Sequence, residues 1–163
     1  MWSKAAIFVA SMLALSVGLS FAHPWGDVRH ASSNDEILGG IAIPSNVRST
    51  IETKCADCHS NRTHWPIYSR LAPGSWLMEH DVNAARTAMN LSQWNGMPVE
   101  GRIAALTRIA AEVRTGQMPP GPYALMHPAN RLTDDDKQQI ATWARAERKR
   151  LRATNEEKET SKQ

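Results

Sequence analysis

Three residues within a five-residue stretch have the types and spacing to hold a metal cofactor covalently: Cys55, Cys58 and His59. They lie in the run Cys55-Ala56-Asp57-Cys58-His59, which contains both cysteines of the chain. Two thiols three residues apart can each add to one vinyl group of haem, and the adjacent imidazole then lies beneath the iron. The spacing is typical of c-type haem attachment, and it predicts one covalent haem c with His59 as an iron ligand.

Three other uses of the two cysteines stay open at this level. They could form a thioredoxin-like redox dithiol, although no strand-helix pattern surrounds them. They could bind zinc together with His59 and His64, although structural zinc sites usually bring a second well-spaced pair of ligands. They could also form a short disulfide, which would close a loop too small to add much stability.

The sixth ligand of the iron, on the face opposite His59, would distinguish an electron carrier from an enzyme. Haem iron held by His and Met is typical of electron-transfer cytochromes c. Met118 is the favoured sixth ligand because it follows a predicted helix and lies in the Pro/Gly-rich loop 117–122, which would aim its side chain rigidly. Met97, Met126, a histidine such as His127, or an open sixth position are the alternatives.

Two arginines are candidates for a further role at this site. Arg70 and Arg86 could neutralise the haem propionates, or their side chains could simply be solvated. His64 and His80 are expected to be structural, since a lone histidine is weak evidence for a ligand.

Residues 1–22 have the layout of a secretory signal peptide. Lys4 precedes an uncharged apolar run over residues 5–19, and Ser20 and Ala22 are small residues placed for cleavage before His23. The apolar stretch is at the short edge of what spans a bilayer, so an uncleaved N-terminal anchor is the alternative. Either outcome predicts a periplasmic location, and export agrees with the haem hypothesis because haem is attached to such motifs outside the cytoplasm in bacteria.

The elements that position the cysteines are predicted to be helices, and no strand pattern stands out in the sequence. A first helix is expected after Pro44, with Ser45 as its N-cap and Cys55 at its end. Residues 60–76 are predicted to form a long ordered loop, and residues 81–90 a short helix. The predicted fold class is all-α, with one small domain wrapped around the haem.

Two longer helices complete the predicted domain. Apolar residues repeat every three to four positions over 99–115, and Gly116 is expected to cap that helix in the left-handed conformation. Thr133 is expected to be the N-cap of the last helix, because three aspartates follow in the first turn, where the helix dipole favours negative charge.

Composition divides the chain into four parts. Residues 1–22 are the signal segment or anchor, 23–44 an irregular arm, 45–150 the haem domain, and 151–163 a polar tail predicted to be disordered. The formal net charge is +3, and the excess basic residues cluster over 145–152, where they could steer an acidic redox partner or cap a solvated helix end. Nothing in the composition indicates nucleic-acid binding.

Several stretches beyond the cysteine motif resemble the bacterial haem-binding domain family, whose members are small monohaem proteins related to class I cytochromes c. Besides residues 55–61, the matching stretches are Trp65-Pro66-Ile67-Tyr68-Ser69-Arg70, Ala72-Pro73, Ser75-Trp76, His80-Asp81-Val82, Asn90-Leu91-Ser92-Gln93-Trp94, Gly116-Gln117-Met118-Pro119 and His127-Pro128.

The resemblance covers roughly residues 45–147 and implies a cytochrome-c-like fold in which the first and last helices pack together. It also implies haem attachment through Cys55 and Cys58, a proximal ligand at His59 and a distal ligand at Met118. The sequence departs from the family at Ile67 and at residues 85–86, and these departures are expected to affect packing of the haem pocket more than ligation.

These observations predict a periplasmic monohaem c-type cytochrome that carries electrons. Its expected partners are redox proteins, with a membrane respiratory complex among the candidates. An enzyme is not indicated, because no nucleophile-base pair or paired carboxylates are evident. The alternatives are a haem-based enzyme or sensor, peroxidase-like or gas-binding, with an open or displaceable sixth site, and an assembly subunit whose haem is structural.

Overall fold

The computed structural model describes residues 3–28 and 36–161, and this part of the chain forms helices joined by loops, without a strand. This confirms the all-α prediction. The α-helices are Lys4–Leu19 (α1), Ser45–Lys54 (α2), Ala56–His59 (α3), Gly74–Ala88 (α4), Val99–Thr115 (α5), Gly121–Met126 (α6) and Asp134–Thr160 (α7). Short 3-10 helices span Ile67–Arg70, Leu91–Gly96 and Pro128–Asn130.

The pair formed by α5 and α7 is the framework of the domain. Leu106 and Val113 on one face of α5 are buried with Ile140 and Ala144 on the facing side of α7. Each fully buried aliphatic side chain of this kind stabilises the fold by about 1.5–3 kcal/mol. Helix α2 also contacts α7, so the first and last helices of the haem domain pack together, as the family resemblance implies.

The arm before α2 supplies part of this core. Its described residues, 23–28 and 36–44, contain turns and bends rather than regular structure. Ile37 and Leu38 are nevertheless almost fully buried, and the Leu38 N–H donates to the Leu91 carbonyl at 3.0 Å. Residues 29–35 of the predicted arm lie outside the described residues.

Two helix starts differ from the sequence predictions. Ser45 is not the N-cap of α2: Pro44 occupies that position, because its carbonyl already accepts the first helical hydrogen bond, from Arg48 N–H at 2.9 Å. Helix α4 begins at Gly74 rather than near residue 81. Pro73 does not break this helix but precedes its first turn, where the missing proline N–H costs nothing.

The C-terminal stretch also differs from its prediction. Helix α7 continues to Thr160, through most of the region that composition marks as a disordered tail, and residues 162–163 lie outside the described part of the chain. Leu151 explains the continuation in part, because it is buried in the core two turns beyond Ala144. Arg150 and Glu147 form an ion pair on the same stretch.

Helix α1 coincides with the apolar segment predicted to direct export. All its described side chains are at least partly exposed. Ser16 Oγ donates to the Ala72 carbonyl, and the Ala72 N–H donates to Ser20 Oγ at 2.8 Å, so the segment contacts the loop before α4. No helix in the described part of the chain is long and apolar enough to cross a membrane.

The carboxylate of Asp136 joins α2 to the start of α7. It accepts hydrogen bonds from Lys54 Nζ at 2.8 Å and from the Thr133 backbone N–H at 2.9 Å, while Thr133 Oγ1 accepts from the Asp136 N–H. Burial alone would raise the pKa of this carboxyl, but the hydrogen bonds from Lys54 and Thr133 outweigh burial and lower the pKa to about 2. The predicted cap at Thr133 is confirmed as a capping box.

We expect Asp136→Asn to lower the free energy of unfolding at neutral pH by about 1 kcal/mol. Because folding lowers the pKa, the stabilisation is present above the unfolded value of about 3.9 and is lost as the pH falls through about 2. Denaturant unfolding at several pH values should therefore show the variant and the wild type converging in acid. Asp134→Asn, which changes an exposed carboxylate of the same turn, is the control and should stay within about 0.5 kcal/mol of wild type. An equal cost for both variants would contradict the prediction.

Candidate functional site

The four residues predicted to bind haem lie around one apolar region of the molecule. Cys55, His59 and Met118 line two adjoining cavities of about 480 and 330 Å³, and Cys58 lines the larger one. Cavities of this size are typical of cofactor sites. The larger cavity is also lined by Tyr68, Leu77, Met78, Pro119, Tyr123 and Met126, and the smaller one by Ile51, Met89, Leu91, Arg108, Ile109 and Ile140.

The two cysteines are brought together by a break between two helices. Helix α2 ends at Lys54, and α3 begins at Ala56, so Cys55 lies at the junction. The His59 N–H donates to the Cys55 carbonyl at 3.0 Å, which closes one helical turn. Residues three and four apart on such a turn face the same side. The turn therefore places both thiols and the imidazole in the lining of the cavities, and the two thiols are not joined in a disulfide.

Burial keeps both thiols protonated. It raises the pKa of Cys55 to about 12, with a smaller contribution from Cys58. It likewise raises the pKa of Cys58 to about 11, with Asp57 adding to the effect. A redox dithiol needs a lowered pKa, so this environment disfavours that alternative. Within residues 3–28 and 36–161, no three His, Cys, Asp or Glu side chains are arranged so that together they could hold a metal ion.

The tautomer of His59 is fixed by one hydrogen bond. His59 Nδ1 lies 3.1 Å from the backbone carbonyl oxygen of Met89. A carbonyl only accepts, so Nδ1 carries the proton and donates it. The Nε2 lone pair is then available to a metal, which is the usual arrangement of a ligating histidine. The side chain of His59 therefore fits the role of an iron ligand.

Polar residues that follow the cysteine motif fix its position through hydrogen bonds. Ser60 is fully buried, and its Oγ donates to the Ala56 carbonyl at 2.7 Å. The Asn61 N–H donates to Ser92 Oγ at 3.0 Å, and Asn90 Nδ2 donates to Asn61 Oδ1 at 2.8 Å. These bonds tie the motif to the 3-10 helix Leu91–Gly96, whose tryptophan is buried in the core.

The loop that carries Met118 is turned by a left-handed glycine. Gly116 has φ +73° and caps α5, as predicted, and the N–H groups of Gln117 and Met118 both donate to the Glu112 carbonyl, at 3.0 and 3.3 Å. Met118 is half-buried and faces both cavities. Of the alternative methionines, Met126 lines the larger cavity, whereas Met97 lies beside Gly101, outside both.

The remaining candidate residues are placed elsewhere. Tyr68 OH lies 3.1 Å from His127 Nε2, which puts this histidine behind the cavity wall rather than on it. The backbone of His64 donates to Asp57, and its side chain is exposed. His80 is exposed beside Asp81.

Arg86 contacts three pieces of the chain rather than the cavity. Its Nε donates to the Ser60 carbonyl at 2.8 Å, Nη1 to the Val28 carbonyl at 2.8 Å, and Nη2 to Thr63 Oγ1 at 2.9 Å. The expectation that it neutralises a propionate therefore gives way to a structural role. Arg70 is exposed at the end of its 3-10 helix.

Sequence reasoning missed two cavity residues. Arg108 lines the smaller cavity and donates to the Ala88 carbonyl at 3.3 Å, and it is a cation that could face a propionate. Tyr123 lines the larger cavity. Tyr123 directly follows the loop 117–122 that was assigned to the site, which was a signal for it, whereas the sequence gives no signal that Arg108 faces the cavity.

Comparisons with known proteins agree with this geometry. The family described as "Haem-binding domain" matches residues 14–146. The chain is 22% identical over 155 residues to "Cytochrome c peroxidase Ccp" of Escherichia coli (strain K12). That match covers 93% of this chain but 33% of the relative, so the chain spans about a third of the length of that protein. No solved structure matches the chain.

The three hydrogen bonds of Arg86 yield a test of how the motif is supported. We expect Arg86→Lys to lower the free energy of unfolding by roughly 1–3 kcal/mol, because an ammonium cannot reproduce the planar fork. Arg70→Lys makes the same chemical change at an exposed site and should cost less than about 0.5 kcal/mol. Denaturant unfolding of the two variants decides the matter. Indistinguishable midpoints would show that Arg86 does not support the motif.

Proposed function

The chain belongs to the haem-binding domain family, and from this premise we propose that it is a periplasmic electron carrier with one haem c. In this proposal Cys55 and Cys58 hold the haem covalently, and His59 and Met118 are its axial iron ligands. The observation that carries it is that these residues meet at one apolar region while the His59 Nε2 lone pair stays free for a metal. Family membership supports the cofactor, and the cavity geometry supports the assignment of each residue.

The chemistry of the thiols fits covalent attachment. In each linkage the sulfur bonds to one vinyl carbon and the thiol hydrogen goes to the other, so a neutral thiol becomes a neutral thioether. The buried surroundings that keep Cys55 and Cys58 protonated also suit a neutral product.

The two axial residues would set the redox behaviour. When bound, the haem supplies one-electron chemistry between ferrous and ferric iron. His59 would coordinate through Nε2 while its Nδ1–H stays on the Met89 carbonyl, which fixes the ring. Met118 would offer a thioether sulfur, a ligand that raises the reduction potential. The apolar walls would exclude water and favour the less charged reduced state.

A second candidate function is a haem enzyme of the peroxidase type. The similarity to the cytochrome c peroxidase of Escherichia coli favours it. It would need an open or displaceable sixth position. The position of Met118 in the wall of both cavities favours the carrier instead, because it supplies a ligand for that position.

Two segments support a proposed location and proposed partners. The apolar segment after Lys4 supports export to the periplasm, with the mature chain beginning at His23. We propose acidic redox proteins, or a membrane respiratory complex, as partners. The support is the basic stretch over residues 145–152 of α7, where Arg145 and Lys149 are exposed.

Haem attachment is tested by the mass and colour of the exported protein. We expect the denatured protein to exceed its polypeptide mass by one haem, and the same mass to report whether the chain begins at His23. Cys55→Ser and Cys58→Ser should each leave one thioether and shift the reduced absorption band to longer wavelength, and the double variant should release the haem in acid acetone. Colourless material with the polypeptide mass alone would contradict the proposal.

Methionine ligation is tested by Met118→Ala. We expect loss of the weak absorption band of the oxidised protein near the red end, immediate binding of carbon monoxide by the reduced protein, and a fall in reduction potential on the order of 100 mV, within the roughly 0.8 V that axial ligands span. Met97→Ala removes a methionine outside both cavities and should leave the spectrum unchanged. A wild-type protein that already binds carbon monoxide at once would favour the enzyme.

A further inference from the structure

The segment that carries Met118 forms one side of the larger cavity. We call residues 117–130 the Met118 flap. Its helix α6 and the 3-10 helix Pro128–Asn130 contain no buried residue in the structure as described, and the Leu125 side chain is 73% exposed. Met118, Pro119 and Tyr123 of the flap line the larger cavity, so the contacts of the flap with the rest of the chain rely on hydrogen bonds.

Most hydrogen bonds of the flap stay within its own neighbourhood. Asn130 Nδ2 donates to Tyr123 OH at 2.6 Å, and Arg131 Nε donates to the Ala124 carbonyl at 3.0 Å. Beyond its C-terminal end, Lys54 Nζ donates to the Arg131 carbonyl at 3.0 Å. These bonds shape the flap and fix its far end, but they do not join it to the chain that follows the cysteine motif.

A bond between Tyr68 and His127 makes that connection. Tyr68 lies in the 3-10 helix Ile67–Arg70, nine residues after His59, and it lines the larger cavity with Cys58 and Met118. Its OH lies 3.1 Å from His127 Nε2, so the pair links the flap to the segment between the cysteine motif and α4.

The direction of this bond follows from the second nitrogen of His127. His127 Nδ1 lies 3.2 Å from the Tyr123 carbonyl oxygen, which only accepts, so Nδ1 carries the proton. Nε2 is therefore an acceptor, and the Tyr68 O–H donates to it. The His127 ring also stacks on the Tyr123 ring, with centroids 4.3 Å apart and an interplanar angle of 23°, which fixes the acceptor in place.

We propose that Tyr68 and His127 form a latch that holds Met118 at the sixth position of the iron and so sets how readily an external haem ligand replaces it. The inference rests on the proposed function, because it assumes that Met118 is the axial ligand. Both are positioning residues: they act through the flap rather than on the iron. Small ligands such as imidazole and carbon monoxide are the probes that would report an opened latch.

The test uses the complete haem-loaded protein and imidazole titration of the oxidised form. Tyr68→Phe keeps the ring and removes the donor, and we expect imidazole to bind about two- to tenfold more tightly, the range that one hydrogen bond supports. The red-end absorption band should weaken in parallel, and the reduction potential should fall. Thermal unfolding of the same variant checks that the fold is intact.

Three further variants separate a latch from a general loss of stability. His127→Phe should match Tyr68→Phe, and the double variant should bind imidazole no more tightly than either single one. His127→Gln should bind imidazole with an affinity close to that of the wild type, because the glutamine amide oxygen can accept the hydrogen bond from the Tyr68 O–H. Asn130→Ala removes a bond of the flap that does not reach the cysteine side, and it should leave imidazole affinity within about twofold of wild type.

The outcomes distinguish the latch from the function on which it rests. Wild-type imidazole affinity in Tyr68→Phe, alongside tight binding in Met118→Ala, would overturn the latch and leave methionine ligation standing. Equal gains in Tyr68→Phe and Asn130→Ala would also overturn it, because any weakening of the flap would then suffice. A wild-type spectrum without the red-end band would overturn both proposals together.

Discussion

The hydrogen bond from His59 Nδ1 to the Met89 carbonyl is the interaction on which the site depends. It decides which nitrogen of the ring is left for a metal, and it sets the orientation of the ring. Met89 can supply this carbonyl because it lies just past the end of α4, with an extended backbone and its own N–H bonded to Ala85. The end of one helix thus fixes the chemistry of a residue thirty positions earlier.

The surrounding structure keeps that pairing in register. Arg86 bonds the segment after the cysteine motif to α4, and Asn61 and Asn90 join the motif to the chain immediately after Met89. Helix α2, which delivers Cys55, is in turn joined to α7 through Lys54 and Asp136. A shift of α4 by a fraction of a turn would therefore move the Met89 carbonyl away from the ring and would break these bonds as well.

Local patterns in the sequence predicted the parts of this arrangement that local forces determine. The bounds of α5 follow from its apolar periodicity and from Gly116, and the start of α7 follows from Thr133 and the carboxylates after it. The start of α4 was hidden because Pro73 and Gly74 resemble a break, whereas they form the first turn of a helix.

The partners of Arg86, Met89 and Tyr123 are set by tertiary packing. No spacing rule places a backbone carbonyl thirty residues away beside a particular imidazole. The cysteine motif could be recognised in the sequence because its chemistry is contained in five consecutive residues. The groups that hold it in place could not be recognised, because they come from α4 and from the arm before α2. The continuation of α7 similarly depends on a core position for Leu151, which composition alone obscures.

The two sides of the cavity are built to different strengths, and this difference bears on function. The side that carries His59 is anchored by buried serines and several hydrogen bonds, whereas the flap that carries Met118 has no buried side chain within its described helices. Under the proposed function, the histidine would be the fixed ligand of the iron, and the methionine would be the ligand that a small change in sequence could release. The few hydrogen bonds that fasten the flap would then decide whether the sixth position is filled or open to an external ligand.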